Sequence, residues 1–142
     1  MNVEILEASF QLVENSCEIF PAKFYQNLFK DYPEIQPLFA HTKMDEQGNH
    51  LFESLKFVVL NLRNPEALET GLKGLGTRHV KYGVLPQHYP MVGHALLTTL
   101  ADFAGEAWTP DVKQAWIDAY TAITSLMLVG ADYPESVVRI PH

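Results

Sequence analysis

The sequence predicts an all-α protein, and three observations carry that expectation. Apolar residues recur at spacings of three and four along nearly the whole chain. No segment shows a two-residue alternation of apolar and polar positions bounded by turn residues. Prolines and capping residues stand where helices would begin or end. About seven helices with several short connections suggest an orthogonal bundle instead of four long parallel helices.

Each element has its own signal. Val3, Leu6, Phe10 and Val13 mark a first helix. Phe20, Phe24 and Leu28 form the stripe of a second, with Tyr25 beside it and Pro21 near its start, where a first turn tolerates proline. Asp31-Tyr32-Pro33 breaks that helix, and a short helical turn over Glu34–Phe39 follows. The segment Ala40–Thr42 reads as loop. Thr42-x-x-Asp45 predicts a capped start for the next helix, which runs to about Leu62 with Leu51, Leu55, Val58 and Leu62 on one face. Asn64-Pro65 starts another, carrying Leu68, Leu72, Leu75 and His79 at spacings of four, three and four. Pro86 opens a helix with Tyr89, Val92, Leu96, Leu100 and Phe103 as its stripe. Thr109-Pro110-Asp111 opens the last, followed by Trp116, Tyr120, Ile123 and Met127. The residues from Asp132 hold two prolines and read as a loose tail.

Bulk properties narrow the function. A chain of 142 residues fits one domain with a real core. Its composition, 47% apolar and 19% charged, is neither disordered nor membrane-spanning. A net charge of −7 argues against nucleic acid or an anionic membrane as partner. The N-terminus has no basic segment followed by a long apolar run, so no secretory signal is expected. The one cysteine, Cys17, excludes an internal disulfide and is expected as a buried filler. A cytoplasmic protein is the expectation.

Several residues are candidates for chemistry. His79 points the way the leucines of its helix point, into an apolar interior, where an imidazole needs partners for its nitrogens. Spacing alone leaves two readings open: a histidine bonded to backbone, or a ligand to haem iron. Tyr25 either reaches the surface with its hydroxyl or needs a buried partner. Gln47, Gly48, Asn49 and His50 either line a pocket or form the solvated start of a helix; His50 is also a candidate second axial ligand. Gly71, Gly74 and Gly76 lie inside a helical pattern, so they let something bulky approach the backbone or weaken the helix, and do not form a phosphate loop. His41, His88, His94 and His142 show no paired metal spacing and read as surface residues. No Cys-x-x-Cys-His motif is present, so a haem would be held non-covalently. Nucleophile-elbow, zinc-protease and catalytic-cysteine signatures are absent.

The run Leu75-Gly-Thr-Arg-His79-Val-Lys-Tyr-Gly-Val84-Leu-Pro86-Gln-His-Tyr89-Pro-Met-Val92-Gly93 resembles the bacterial single-domain globins and the globin domain of flavohaemoglobins. Phe24-Tyr25 followed by Pro33-Glu-Ile-Gln-Pro-Leu-Phe39 is a second match, and Trp116 with Tyr120 fits the family's last helix. The resemblance extends to about Gly130. It implies a globin fold of seven to eight helices around a haem b pocket, with a globin domain over 1–131 and a tail over 132–142. His79 would be the proximal ligand, and Phe39, Val84 and Tyr89 would touch the haem. Tyr25, Gln47 and Leu51 would form the distal set; a slip in the loop after Phe39, which is about two residues shorter than in flavohaemoglobins, would bring Gly48 or His50 there instead.

Two departures bear on function. With residue 142 the last given, no flavin and nicotinamide reductase domain is expected. The family's acidic partner of the proximal histidine would fall near Tyr133, with Asp132 adjacent, while Tyr89, the other proximal partner, is present. The resemblance therefore implies reversible, high-affinity binding of O2, CO and NO for oxygen storage, transport or scavenging. The alternatives are a nitric oxide dioxygenase served by a separate reductase, and a haem-based sensor or haemless globin-fold protein.

Overall fold

The computed structural model describes residues 2–81 and 84–131. Among them are six α-helices, α1 (Val3–Phe10), α2 (Ile19–Asp31), α3 (Met44–Leu60), α4 (Pro65–Lys81), α5 (His88–Ala104) and α6 (Pro110–Ala131), with 3₁₀ turns at Pro33–Phe39 and Gly105–Ala107. No described residue is in a strand, and no helix is long and apolar enough to cross a membrane. The expected Asp132–His142 tail, and with it Tyr133 and His142, lies outside the described residues, as do Tyr82 and Gly83.

Local chemistry explains most boundaries. Asn2 Oδ1 accepts from Ile5 N–H at 3.2 Å and caps α1. Thr109 Oγ1 accepts from Val112 N–H at 3.3 Å and caps α6, whose first residue is Pro110. Asn64 Oδ1 lies 3.4 Å from Ala67 N–H at the start of α4. Pro21 falls in the first turn of α2, where its missing N–H costs no helical bond. Gly105 ends α5 at φ +56°, a conformation that suits a residue without Cβ.

Three expectations change. α1 ends at Phe10; Val13 is still buried, but from the turn that follows. The Thr42 cap does not form. Thr42 N–H closes a turn onto Phe39 O at 3.0 Å, and α3 starts two residues later, at Met44, without a side-chain cap. Cys17 is exposed in the connection between α1 and α2, because the turns there project it outward.

The core is one cluster fed by every α-helix. Phe20, Phe24 and Leu28 of α2 are fully buried against it. Phe20 stacks edge-on to Phe52 of α3 and Phe103 of α5, at centroid distances of 6.4 and 5.3 Å. The buried Ser9, Asn27, Thr99 and Trp116 side chains are paired. Trp116 Nε1 donates to Ser9 Oγ at 2.8 Å, tying α6 to α1. Asn27 donates to Thr99 Oγ1 at 3.0 Å, and Thr99 donates on to Ala95 O at 2.7 Å, tying α2 to α5.

The most extensive helix pairing is α4 on α6. It is close enough that a Cβ on Gly76 would overlap the Met127 carbonyl, and one on Gly130 would overlap the Lys73 backbone. Gly71 meets the Phe57 ring in the same way, while Gly74 faces only the Arg78 guanidinium, at 3.7 Å. Thus Gly71 and Gly76 serve close approach, and neither cradles a phosphate.

Candidate functional site

α3 and α4 follow one another in the chain, yet a cleft of about 220 Å³ lies between them. Ser54 and Phe57 of α3 line one wall, and Gly71, Leu72 and Leu75 of α4 line the other; Glu53 and Arg78 bring charge to it. The cleft separates the helix that carries Gln47 from the helix that carries His79. Phe57 and Arg78 had no place among the candidates, because nothing in their spacing distinguishes them from an ordinary helix face.

His79 is half-buried on α4. Its Nδ1 lies 2.9 Å from Leu75 O, one turn earlier. A carbonyl only accepts, so Nδ1 carries the proton and, in the neutral ring, Nε2 carries the lone pair. Burial lowers the imidazole below its ordinary pKa; the Leu75 bond opposes this, and the Arg78 charge adds to it. The ring is therefore kept neutral. Val84 N–H donates to His79 O at 3.1 Å and finishes the helix end. Tyr89 is buried in the first turn of α5, and its backbone carbonyl accepts from the Tyr120 hydroxyl at 2.6 Å.

A second group, aromatic, comes from α2 and the 3₁₀ turn after it. The buried Tyr25 ring packs on Phe24, Phe29 and Phe39 at centroid distances of 4.9, 5.9 and 5.5 Å. Phe29 and Phe39 also touch, at 5.4 Å. Burial pushes the Tyr25 hydroxyl up to about 12, against an ordinary phenol value of 10, and a bond from Gln47 opposes that rise.

The structure thus brings Tyr25 and Gln47 together, with Leu51 partly buried one turn beyond Gln47. Gly48 faces elsewhere: a Cβ there would sit 3.0 Å from Pro21 Cβ, so its surface serves packing of α3 on α2. His50 is exposed and takes no part in the Tyr25–Gln47 pair. Of the histidines expected at the surface, His41 and His94 are exposed. His88 is not: it is half-buried, and its Nδ1 accepts Leu85 N–H at 2.9 Å, steadying the entry to α5. No cluster of three or more metal-binding His, Cys, Asp or Glu side chains occurs among the described residues.

The globin family model matches residues 22–127, a span that includes every residue of this site. A flavohemoprotein of Vibrio cholerae is 30% identical over 138 residues, 94% of this chain and 35% of that protein. One from Pseudomonas putida is 34% identical over 134 residues, 90% of this chain and 33% of the relative. The chain spans about a third of the length of these curated relatives. A bacterial globin of Campylobacter jejuni superposes with a TM-score of 0.78 at 26% identity, covering 91% of this chain and 93% of that one. An engineered carbene transferase, made from a candidate nitric oxide dioxygenase of Rhodothermus marinus, superposes at 0.81 with 26% identity and covers 91% and 89% of the two chains. With a family model matched across most of its length and a shared helical fold, this chain belongs to the globin family.

Proposed function

We propose that this chain holds haem b without a covalent link and binds dioxygen reversibly, with carbon monoxide and nitric oxide as competing ligands. The state of His79 is the observation that carries this reading. Its ring is neutral, its Nδ1–H is committed to Leu75 O, and its Nε2 bears the lone pair. Metal-bound histidines are held in this manner, with the second ring nitrogen donating to a backbone carbonyl or carboxylate. The donor set therefore fits haem iron, with His79 as its protein ligand. When bound, the haem supplies a ferrous iron that takes up a diatomic gas.

The protein's residues then act as follows. Phe39, Leu51, Val84 and Tyr89 contribute apolar surface and exclude water. Tyr25 keeps its proton across the physiological range and donates it to a ligand that gathers negative charge. Gln47, paired with the Tyr25 hydroxyl, adds a second polar group at that donor, and linked hydrogen bonds strengthen one another. Carbon monoxide gathers less charge and gains less from Tyr25, so the pair favours dioxygen.

Titration of the purified chain with haem tests the reading. Uptake should saturate at one haem per chain with a sharp Soret band, and His79→Ala should lose that defined spectrum. A chain that develops no Soret band would exclude the reading and leave a haemless globin fold.

A second reading is nitric oxide dioxygenase chemistry, with an electron returned by a separate reductase. The flavohemoprotein relatives and the likeness to the Rhodothermus marinus candidate nitric oxide dioxygenase favour it. Sustained nitric oxide consumption in the presence of a reductase and nicotinamide cofactor would support it; a single turnover would eliminate it.

A further inference from the structure

We propose that Thr77 is a positioning residue for His79, acting by clamping α4 to the end of α6. The Thr77 hydroxyl lies 2.7 Å from Gly130 O and 3.1 Å from Lys73 O, its own i−4 carbonyl. It has one proton to donate, and the shorter contact crosses to α6. Gly130 lies at the C-terminal end of the described part of α6, so the bond ties α4 to that end.

The clamp sits at a defined angle to the ligand. At 100° per residue, Lys73, Gly76 and Thr77 share one face of α4, and Leu72, Leu75 and His79 share another, roughly 120° away. The first face is pressed onto α6, with Gly76 against Met127 O and the Lys73 backbone against Gly130. Those contacts set the depth of approach. They do not by themselves fix rotation of α4 about its axis, because glycine presents no side chain to engage. The Thr77 bond is directional and supplies that restraint two residues before His79. Leu75 O, which holds the His79 ring, belongs to the same turn of α4 as Thr77. Loosening the clamp should therefore open the Nδ1–H bond to Leu75 more often.

Thr77 is exposed, so substitution there leaves the core intact. Thr77→Val keeps the shape and removes the donor; Thr77→Ser keeps the donor. The inference rests on the haem reading for its importance, but its test does not. The ring ¹⁵N shifts of His79 and the exchange rate of its Nδ1 proton can be read by NMR on the full chain before haem is added. Thr77→Val should shift the ring signals and speed exchange about two- to tenfold, the effect of losing one ordinary hydrogen bond. Thr77→Ser should restore wild-type values. In the haem-loaded ferrous protein, the iron–histidine stretching frequency should move in Thr77→Val and return in Thr77→Ser. Wild-type ring signals in Thr77→Val, or a serine variant that behaves like valine, would overturn the clamp. Absence of a Soret band would overturn the haem reading alone and leave the NMR result to decide.

Discussion

Replacing Tyr25 by phenylalanine isolates one oxygen atom. The ring contacts to Phe24, Phe29 and Phe39 persist, because phenylalanine fills the same space. What disappears is the hydroxyl, a neutral donor held protonated by burial. A hydrogen bond to a charged acceptor contributes about 1.5–3 kcal/mol. At about 1.4 kcal/mol per decade, its loss should speed dioxygen release from the haem-loaded protein roughly ten- to a hundredfold. Carbon monoxide release should change far less. Rapid mixing of the oxygenated protein with a scavenging ligand gives the rate. Gln47→Leu in the Tyr25→Phe background should add little, because Gln47 works through the phenol; in the wild-type background it should speed release by itself. A Tyr25→Phe rate within about twofold of wild type would refute the donor role.

Two further outcomes follow from the packing and the ionisation. Gly76→Ala drives a methyl group into the Met127 carbonyl, a backbone atom that cannot rotate away. The expected loss is about 1–3 kcal/mol of stability, read as a lower urea midpoint with an unchanged slope; an unchanged midpoint would show that α4 and α6 separate without penalty. Tyr25 titrates near 10 when unfolded and about 12 when folded, so the native state holds its proton longer. Its stabilising contribution is complete below pH 10 and is lost as pH rises from 10 to 12, by about 2–3 kcal/mol. Urea unfolding across that window should show a steeper decline in wild type than in Tyr25→Phe, and parallel declines would contradict the burial.

Much of this was legible from local patterns. The Pro65 and Pro110 starts and the leucine stripe ending in His79 combine side-chain periodicity with backbone chemistry confined to a few residues, and such signals survive folding. The Thr42 start failed because α3 begins at Met44 with Lys43 in the cap position, which leaves the Thr42 hydroxyl one residue too early, a shift invisible to a capping motif read alone. Cys17 went from expected interior to surface because helical spacing was extended through residues that form turns. The Tyr25–Gln47 pair could be expected only through family resemblance, since no periodicity links α2 to α3. The α4–α6 seam depends on Gly76 meeting Met127 and Gly130 meeting Lys73, a coincidence of tertiary packing with no local mark.

The most direct test of the haem reading is the absorption spectrum of the reduced, haem-loaded chain before and after addition of dioxygen. A neutral His79 as the protein ligand, with His50 exposed, predicts a five-coordinate ferrous spectrum that shifts on oxygenation and returns when oxygen is removed. A six-coordinate low-spin spectrum before any gas is added, or no response to dioxygen, would contradict it.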